Sequence, residues 1–87
     1  GRAAQKVAVK LRAVSGGKQV LCVTHLPQIA AMADHHLLIS KAERDGRTYT
    51  AVEPLDREGR KREIARIIGG AEITATTLQS AEEMLSY

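Results

Sequence analysis

The most constraining feature of this sequence is an unbroken apolar run, Val20 to Val23, that leads directly into Thr24-His25-Leu26-Pro27-Gln28. A short run of this kind, with β-branched residues and no polar alternation, is typical of a strand buried on both faces of a parallel sheet. Proline has a preset φ and no backbone donor, so Pro27 suits the first turn of a helix. The pattern therefore predicts a buried strand over residues 19–24 and a short helix from about Pro27 to Ala33.

His25 lies in the loop between the predicted strand and the predicted helix. Open α/β sheets place their ligands in the crevice beyond the carboxyl ends of their strands, so this titratable side chain is the best functional candidate. Its position alone favours a hydrogen-bonded structural histidine over a ligand contact. His35 and His36 do not complete a metal site with it, because adjacent residues at a strand start point to opposite faces. No Cys, Asp or Glu falls at zinc-like spacing, so no metal ligands are predicted.

The pattern on either side of this loop predicts a helix and a hairpin. Apolar residues at helical spacing predict a first helix that ends at Ser15-Gly16-Gly17, where glycine supplies a left-handed cap. The stretches 36–40 and 48–53 predict two strands. Asp45-Gly46 between them suits the positive φ values of a tight turn, so the strands are expected to form a β-hairpin.

The second half of the chain predicts two C-terminal helices. Asp56 is suited to cap the first of them, and Gly69-Gly70 to end it. Thr74 or Thr76 is suited to start the second. Together with the buried strand, the short helix and the hairpin, these helices predict an α/β fold with mixed strand directions.

Composition limits the size of the core and the range of partners. The chain has 87 residues with no Phe or Trp, so its core has to be built from Val, Ile, Leu and Ala, which suits part of a larger domain. The formal net charge of +3 permits nucleic-acid contact without demanding it. Acidic residues interrupt the basic helix of residues 57–66 and no aromatic accompanies it, which favours a solvated face over a DNA contact. Cys22, the single cysteine, is predicted to be a small buried hydrophobe.

Several stretches of the sequence resemble the RecN family of bacterial, SMC-like DNA repair proteins, which are ABC-type ATPases. The resemblance runs from Gln19 to His36 and includes four further stretches, Leu37–Lys41, Arg47–Thr50, Ile68–Thr74 and Gly1–Ala4. It implies that residues 1–87 are the C-terminal lobe of a P-loop ATPase head, beginning after the Walker B and D-loop motifs. Because the Walker A, signature and Walker B motifs would then lie before this segment, the isolated chain is expected to be inactive.

The resemblance also implies roles for individual residues. His25 matches the switch histidine that donates a hydrogen bond to the γ-phosphate, so it is the expected catalytic residue. Thr24 and Gln28 are expected beside it as ATP-binding residues. The implied cofactors are ATP and Mg²⁺, with the Mg²⁺ ligands outside this chain.

The partners implied by the resemblance are the N-terminal half of the same head, a second head in a head-to-head homodimer, and DNA. Arg2, near the end of the D-loop match, is expected close to the partner head. The absence of a transmembrane-length run or a signal peptide, together with a single cysteine, predicts a cytoplasmic protein without a membrane partner. The resemblance adds association with the nucleoid.

Two alternatives remain open at the level of sequence. The chain could be a small basic module that binds nucleic acid or protein, with a structural His25, or a head fragment of another ABC-type ATPase. If the chain is a lobe of a head, the edge of the 19–24 strand or the face of the first helix should be left uncovered, whereas an autonomous module would cover both.

Overall fold

A computed structural model describes residues 2–86 of the chain. Four helices and two strands form in this range, in the order α1 (Arg2–Val14), α2 (Pro27–Met32), β1 (Leu37–Arg44), β2 (Arg47–Pro54), α3 (Arg57–Gly69) and α4 (Ala75–Leu85). The predicted mixture of helix and strand is confirmed, as are the short helix, the hairpin and the two C-terminal helices.

The two strands form an antiparallel hairpin whose register runs from the pair Leu37–Pro54 to the pair Arg44–Arg47 at the turn. Asp45 and Gly46 have φ values of 51° and 75°, the positive values that a two-residue hairpin turn requires. Nearly every residue of the hairpin is exposed, and neither strand packs against a helix among residues 2–86. The hairpin therefore projects from the helices instead of covering them.

Capping residues at the predicted boundaries determine where α3 begins and ends and where α4 begins. An oxygen of the Asp56 carboxylate accepts a hydrogen bond from the backbone N–H of Gly59 at 2.7 Å, and Gly70 ends α3 with a φ of 76°. Thr74 is the N-cap of α4, where it forms a reciprocal capping box with Thr77. Of the two starts that the sequence allowed for the last helix, the structure selects Thr74.

The core lies where α2, α3 and α4 meet. Ile64, Ala65 and Ala81 have no solvent exposure, and three more buried residues complete this cluster, namely Ala30, Ala31 and Leu85. Four of these six residues are alanine. At the surface of the cluster, Arg57 of α3 forms an ion pair with Glu82 of α4 at 2.9 Å. We call these three helices the helical unit.

The predicted buried strand over residues 19–24 is wrong for this chain. These residues belong to no strand, and the Leu21 and Val23 side chains are 83% and 86% exposed. Cys22 is exposed as well, which corrects the prediction that it is buried. A strand requires a neighbour for its backbone hydrogen bonds, and in the described residues the sheet consists of β1 and β2 alone. We call residues 19–24 the apolar segment.

The expectation that the face of the first helix is left uncovered is confirmed, whereas the expectation of an uncovered strand edge does not apply, because the described residues form no strand over 19–24. The apolar segment is exposed, and so are Val7, Val9 and Val14 on α1. Helix α1 packs against α2 and buries Ala4 and Ala8, so its contact with the rest of the chain depends on small residues. The Val7, Val9 and Val14 side chains are about half exposed, so no described residue covers them fully.

Candidate functional site

The loop that carries the candidate histidine joins the apolar segment to α2. The Thr24 hydroxyl oxygen accepts a hydrogen bond from the backbone N–H of Leu26 at 3.0 Å, a local turn that fixes the backbone on both sides of His25. Leu26 is the N-cap of α2, with extended backbone and no side-chain cap, and Pro27 begins the helix as predicted. His25 is thus held between a hydrogen-bonded turn and the first turn of a helix.

The His25 side chain is exposed, and no hydrogen bond or ion pair joins it to another residue in the range 2–86. An imidazole in this state can donate an N–H to an external acceptor without first giving up an internal partner. Thr24 and Gln28 are partly buried and lie in the same loop and the first helical turn. The three predicted site residues lie within five consecutive positions of the sequence, and His25 is the most accessible of them.

The other two histidines have different surroundings. His35 is exposed, whereas His36 is partly buried and its Nδ1 atom has no hydrogen-bond partner. Burial lowers the pKa of His36, the positive charge of Arg60 lowers it further, and Glu63 opposes both. Within residues 2–86, no group of three or more His, Cys, Asp or Glu side chains is arranged to hold a metal ion.

A contact that sequence reasoning missed lies at the other end of α2. The Arg60 guanidinium of α3 donates from Nη2 to the backbone carbonyl oxygens of Ala30 at 3.2 Å, Ala31 at 3.3 Å and Ala33 at 2.8 Å. The last carbonyls of a helix have no partner within the helix, and a cation there also complements the helix dipole. Arg60 is one of several basic residues in α3, and nothing in the local sequence distinguishes it from the others.

The basic face of α3 is largely engaged within the chain. Arg57 and Lys61 both form ion pairs with Glu82, at 2.9 and 3.9 Å, and Arg66 pairs with Glu63 one turn away on the same helix. Arg2, expected near a partner head, is exposed on α1, while Gly1 of the same D-loop match lies outside the described residues. Among residues 2–86, no helix has the length and apolar composition that a membrane span requires.

The curated proteins most similar to this chain include several that carry the same name, although no family model matches the chain. The chain is 54% identical over 85 residues to DNA repair protein RecN of Bacillus subtilis (strain 168) and to that of Halalkalibacterium halodurans. RecN of Vibrio cholerae is 45% identical over 85 residues. Each match covers 98% of this chain but only 15% of the relative's length. The resemblance to the C-terminal portion of RecN is thereby confirmed.

Proposed function

We propose that this chain is the C-terminal part of the ATP-hydrolysing head of a protein like DNA repair protein RecN. The chain spans 15% of the length of the RecN proteins that it matches. In this proposal, His25 donates a hydrogen bond to the γ-phosphate of ATP. The observation that carries it is the exposed His25 in a loop fixed by Thr24 at the start of α2, in a chain that matches RecN over 98% of its residues.

The chemistry of phosphoryl transfer suits a donor held in this way. Catalysis of this reaction consists mostly of positioning and of stabilising charge on the transferred group. An imidazole N–H aimed at a phosphoryl oxygen stabilises the charge that develops there, and it also distinguishes ATP from ADP. Thr24 keeps the loop backbone in place through its bond to the Leu26 N–H, and Gln28 in the first turn supplies a second polar group near the phosphates.

The phosphate cradle and the Mg²⁺ ligands are assigned to other parts of the head. Gly16-Gly17-Lys18 is not a candidate for the cradle, because it follows α1 as a helix-ending turn in which Gly17 has a φ of 77°. A phosphate loop lies instead between a strand and a helix. The proposed partners follow from the resemblance to RecN. They are the N-terminal half of the same head, a second head in a homodimer, and DNA as the substrate of repair.

The test is the steady-state ATPase rate of full-length Bacillus subtilis RecN in which this chain replaces the matching segment. His25→Ala should lower kcat about 10- to 1000-fold, roughly 1.4–4 kcal/mol, the loss expected for one preorganised donor. The KM for ATP should change little, since the cradle supplies most of the ground-state binding.

His35→Ala is the matched control, because His35 is also exposed but lies beyond α2. It should leave the rate close to that of the unsubstituted protein, with and without DNA. If the folded His25→Ala protein hydrolyses ATP at the rate of the unsubstituted chimaera, His25 has a structural role only. That result would favour the alternative of a small binding module.

A further inference from the structure

Helix α2 depends on its neighbours for its position. It has six residues, and a helix of this length is not stable alone in water. Ala30 and Ala31 bury one side of it in the core of the helical unit, and α1 packs against it through Ala4 and Ala8, but such small residues offer little area to fix a helix against sliding or rotation. Whatever fixes α2 also fixes the loop that presents His25, because Leu26 caps the same helix.

Arg60 supplies the directional contacts that the two alanines lack. One guanidinium nitrogen reaches three carbonyl oxygens, those of Ala30 and Ala31 in α2 and that of Ala33 just after it. The shortest distance, 2.8 Å, is to Ala33. The guanidinium is partly buried, and burial together with Arg57 lowers its pKa while Asp34 raises it. Arginine nevertheless stays charged at neutral pH, so these are charge-assisted hydrogen bonds to the negative end of a helix.

Arg60 is itself held firmly. It lies in the first turn of α3, where its N–H donates to the Asp56 carbonyl oxygen at 2.9 Å and the Asp56 carboxylate caps the helix. Arg57 in the same turn is tied to Glu82 of α4. The α3–α4 pair therefore acts as a base from which Arg60 reaches across to the carboxyl end of α2.

We propose that Arg60 is a positioning residue for His25. It holds the carboxyl end of α2, so that the amino end of the helix presents the His25 loop at a fixed place. This inference rests on the proposed function, since it concerns the placement of the same donor. Arg60 does not touch the nucleotide in this proposal and acts only through α2.

The experiment uses the full-length RecN chimaera described above. Arg60→Met keeps the aliphatic stem but removes the donors, and it should lower kcat about tenfold with the KM for ATP within about twofold, since small misplacements of a catalytic group are costly. Arg60→Lys retains a cation, but its ammonium lies closer to the α3 backbone than the Nη2 atom that makes all three contacts, so its kcat should be intermediate. Arg62→Met on the exposed side of α3 is the matched control and should leave kcat unchanged.

Two further measurements separate positioning from a general structural role. In a His25→Ala background, Arg60→Met should cause no further loss of kcat, because the group that it positions is already absent. Amide hydrogen exchange of residues 24–33, measured without nucleotide, should be faster in Arg60→Met than in Arg62→Met. Residues of α4 should exchange at the same rate in both.

The outcomes distinguish this inference from the proposed function. An unchanged kcat in His25→Ala overturns the proposed function. If kcat is reduced in His25→Ala but unchanged in folded Arg60→Met, only the positioning role is overturned. The same holds if Arg60→Met lowers kcat equally in the unsubstituted protein and in the His25→Ala variant. If Arg60→Met does not fold, Arg60→Lys tests the positioning role instead. The inference is overturned if Arg60→Lys has the same kcat, and the same amide exchange over residues 24–33, as the unsubstituted protein.

Discussion

The helical unit and the apolar segment are both rich in aliphatic side chains, yet they have opposite surroundings. Ile64 in α3 has no solvent exposure, whereas Leu21 in the apolar segment is 83% exposed. The difference lies in the neighbours, because α2 and α4 close over Ile64 and no described residue covers Leu21. Hydrophobicity therefore indicates which side chains gain from burial, and packing partners determine which of them are buried.

The candidate site lies at the junction of these two regions. On one side, α2 is held by the core, by α1 and by the Arg60 Nη2 atom, which lies within hydrogen-bonding distance of three carbonyl oxygens. On the other side, the backbone of the apolar segment has no strand neighbour in the described chain. In the described residues, the packing that supports the His25 loop therefore comes from the α2 side.

The largest expected effect that tests this comparison is the difference in stability loss between two substitutions that shorten a side chain to alanine, one in each region. Ile64→Ala should lower the free energy of unfolding of the chain by about 2–5 kcal/mol, because it removes buried contacts and leaves a cavity. Leu21→Ala should change it by less than about 0.5 kcal/mol, since it removes an exposed side chain. Denaturant unfolding of both variants measures the difference. Equal losses would mean that Leu21 packs against the chain in solution and that the two regions are not distinct.

A smaller, pH-dependent effect is expected at His36, where the hairpin joins the helical unit. Its carbonyl oxygen accepts from the Leu55 N–H at 2.9 Å, and its ring is partly buried. Because burial and Arg60 lower the pKa of His36 and Glu63 only opposes them, the unfolded chain binds the proton more tightly than the folded one. The stability that depends on neutral His36 should therefore be present above about pH 6.5 and be lost as the pH falls toward the lower pKa of the folded state.

Thermal melts of the chain between pH 8 and pH 5 would sharpen this point. His36→Gln should flatten the decline in melting temperature, whereas His35→Gln should leave it in place, because His35 is exposed. Equal pH dependence in all three chains would show that the surroundings of His36 do not affect its protonation.

The features that the sequence predicted correctly are local ones. Pro27 at a helix start, the Asp45-Gly46 turn, and the caps at Asp56 and Thr74 each depend on a few neighbouring residues. The loop around His25 is only partly of this kind: the helix start at Pro27 agrees with the prediction, but the buried strand that was expected to lead into the loop does not form in the described residues.

The features that the sequence did not predict depend on distant residues. A strand over residues 19–24 needs a neighbour that the described chain does not supply. The Arg60 contacts join residues 27 to 30 positions apart, and the burial of His36 depends on α3. No periodicity or spacing rule identifies which of several basic residues in a helix reaches another helix. The roles of Thr24, His25 and Gln28 in nucleotide binding stay predictions.

The most direct test of the central claim compares two ligands that differ at the γ-phosphate position. The dissociation constants for ADP and for ADP with vanadate, which mimics the phosphoryl group in transfer, are measured with the full-length chimaera and with its His25→Ala variant. If His25 contacts the γ-phosphate, His25→Ala should weaken binding of the vanadate complex about tenfold or more and change ADP affinity by less than about twofold. Unchanged affinity for both ligands, or an equal loss for both, would contradict a γ-phosphate contact at His25.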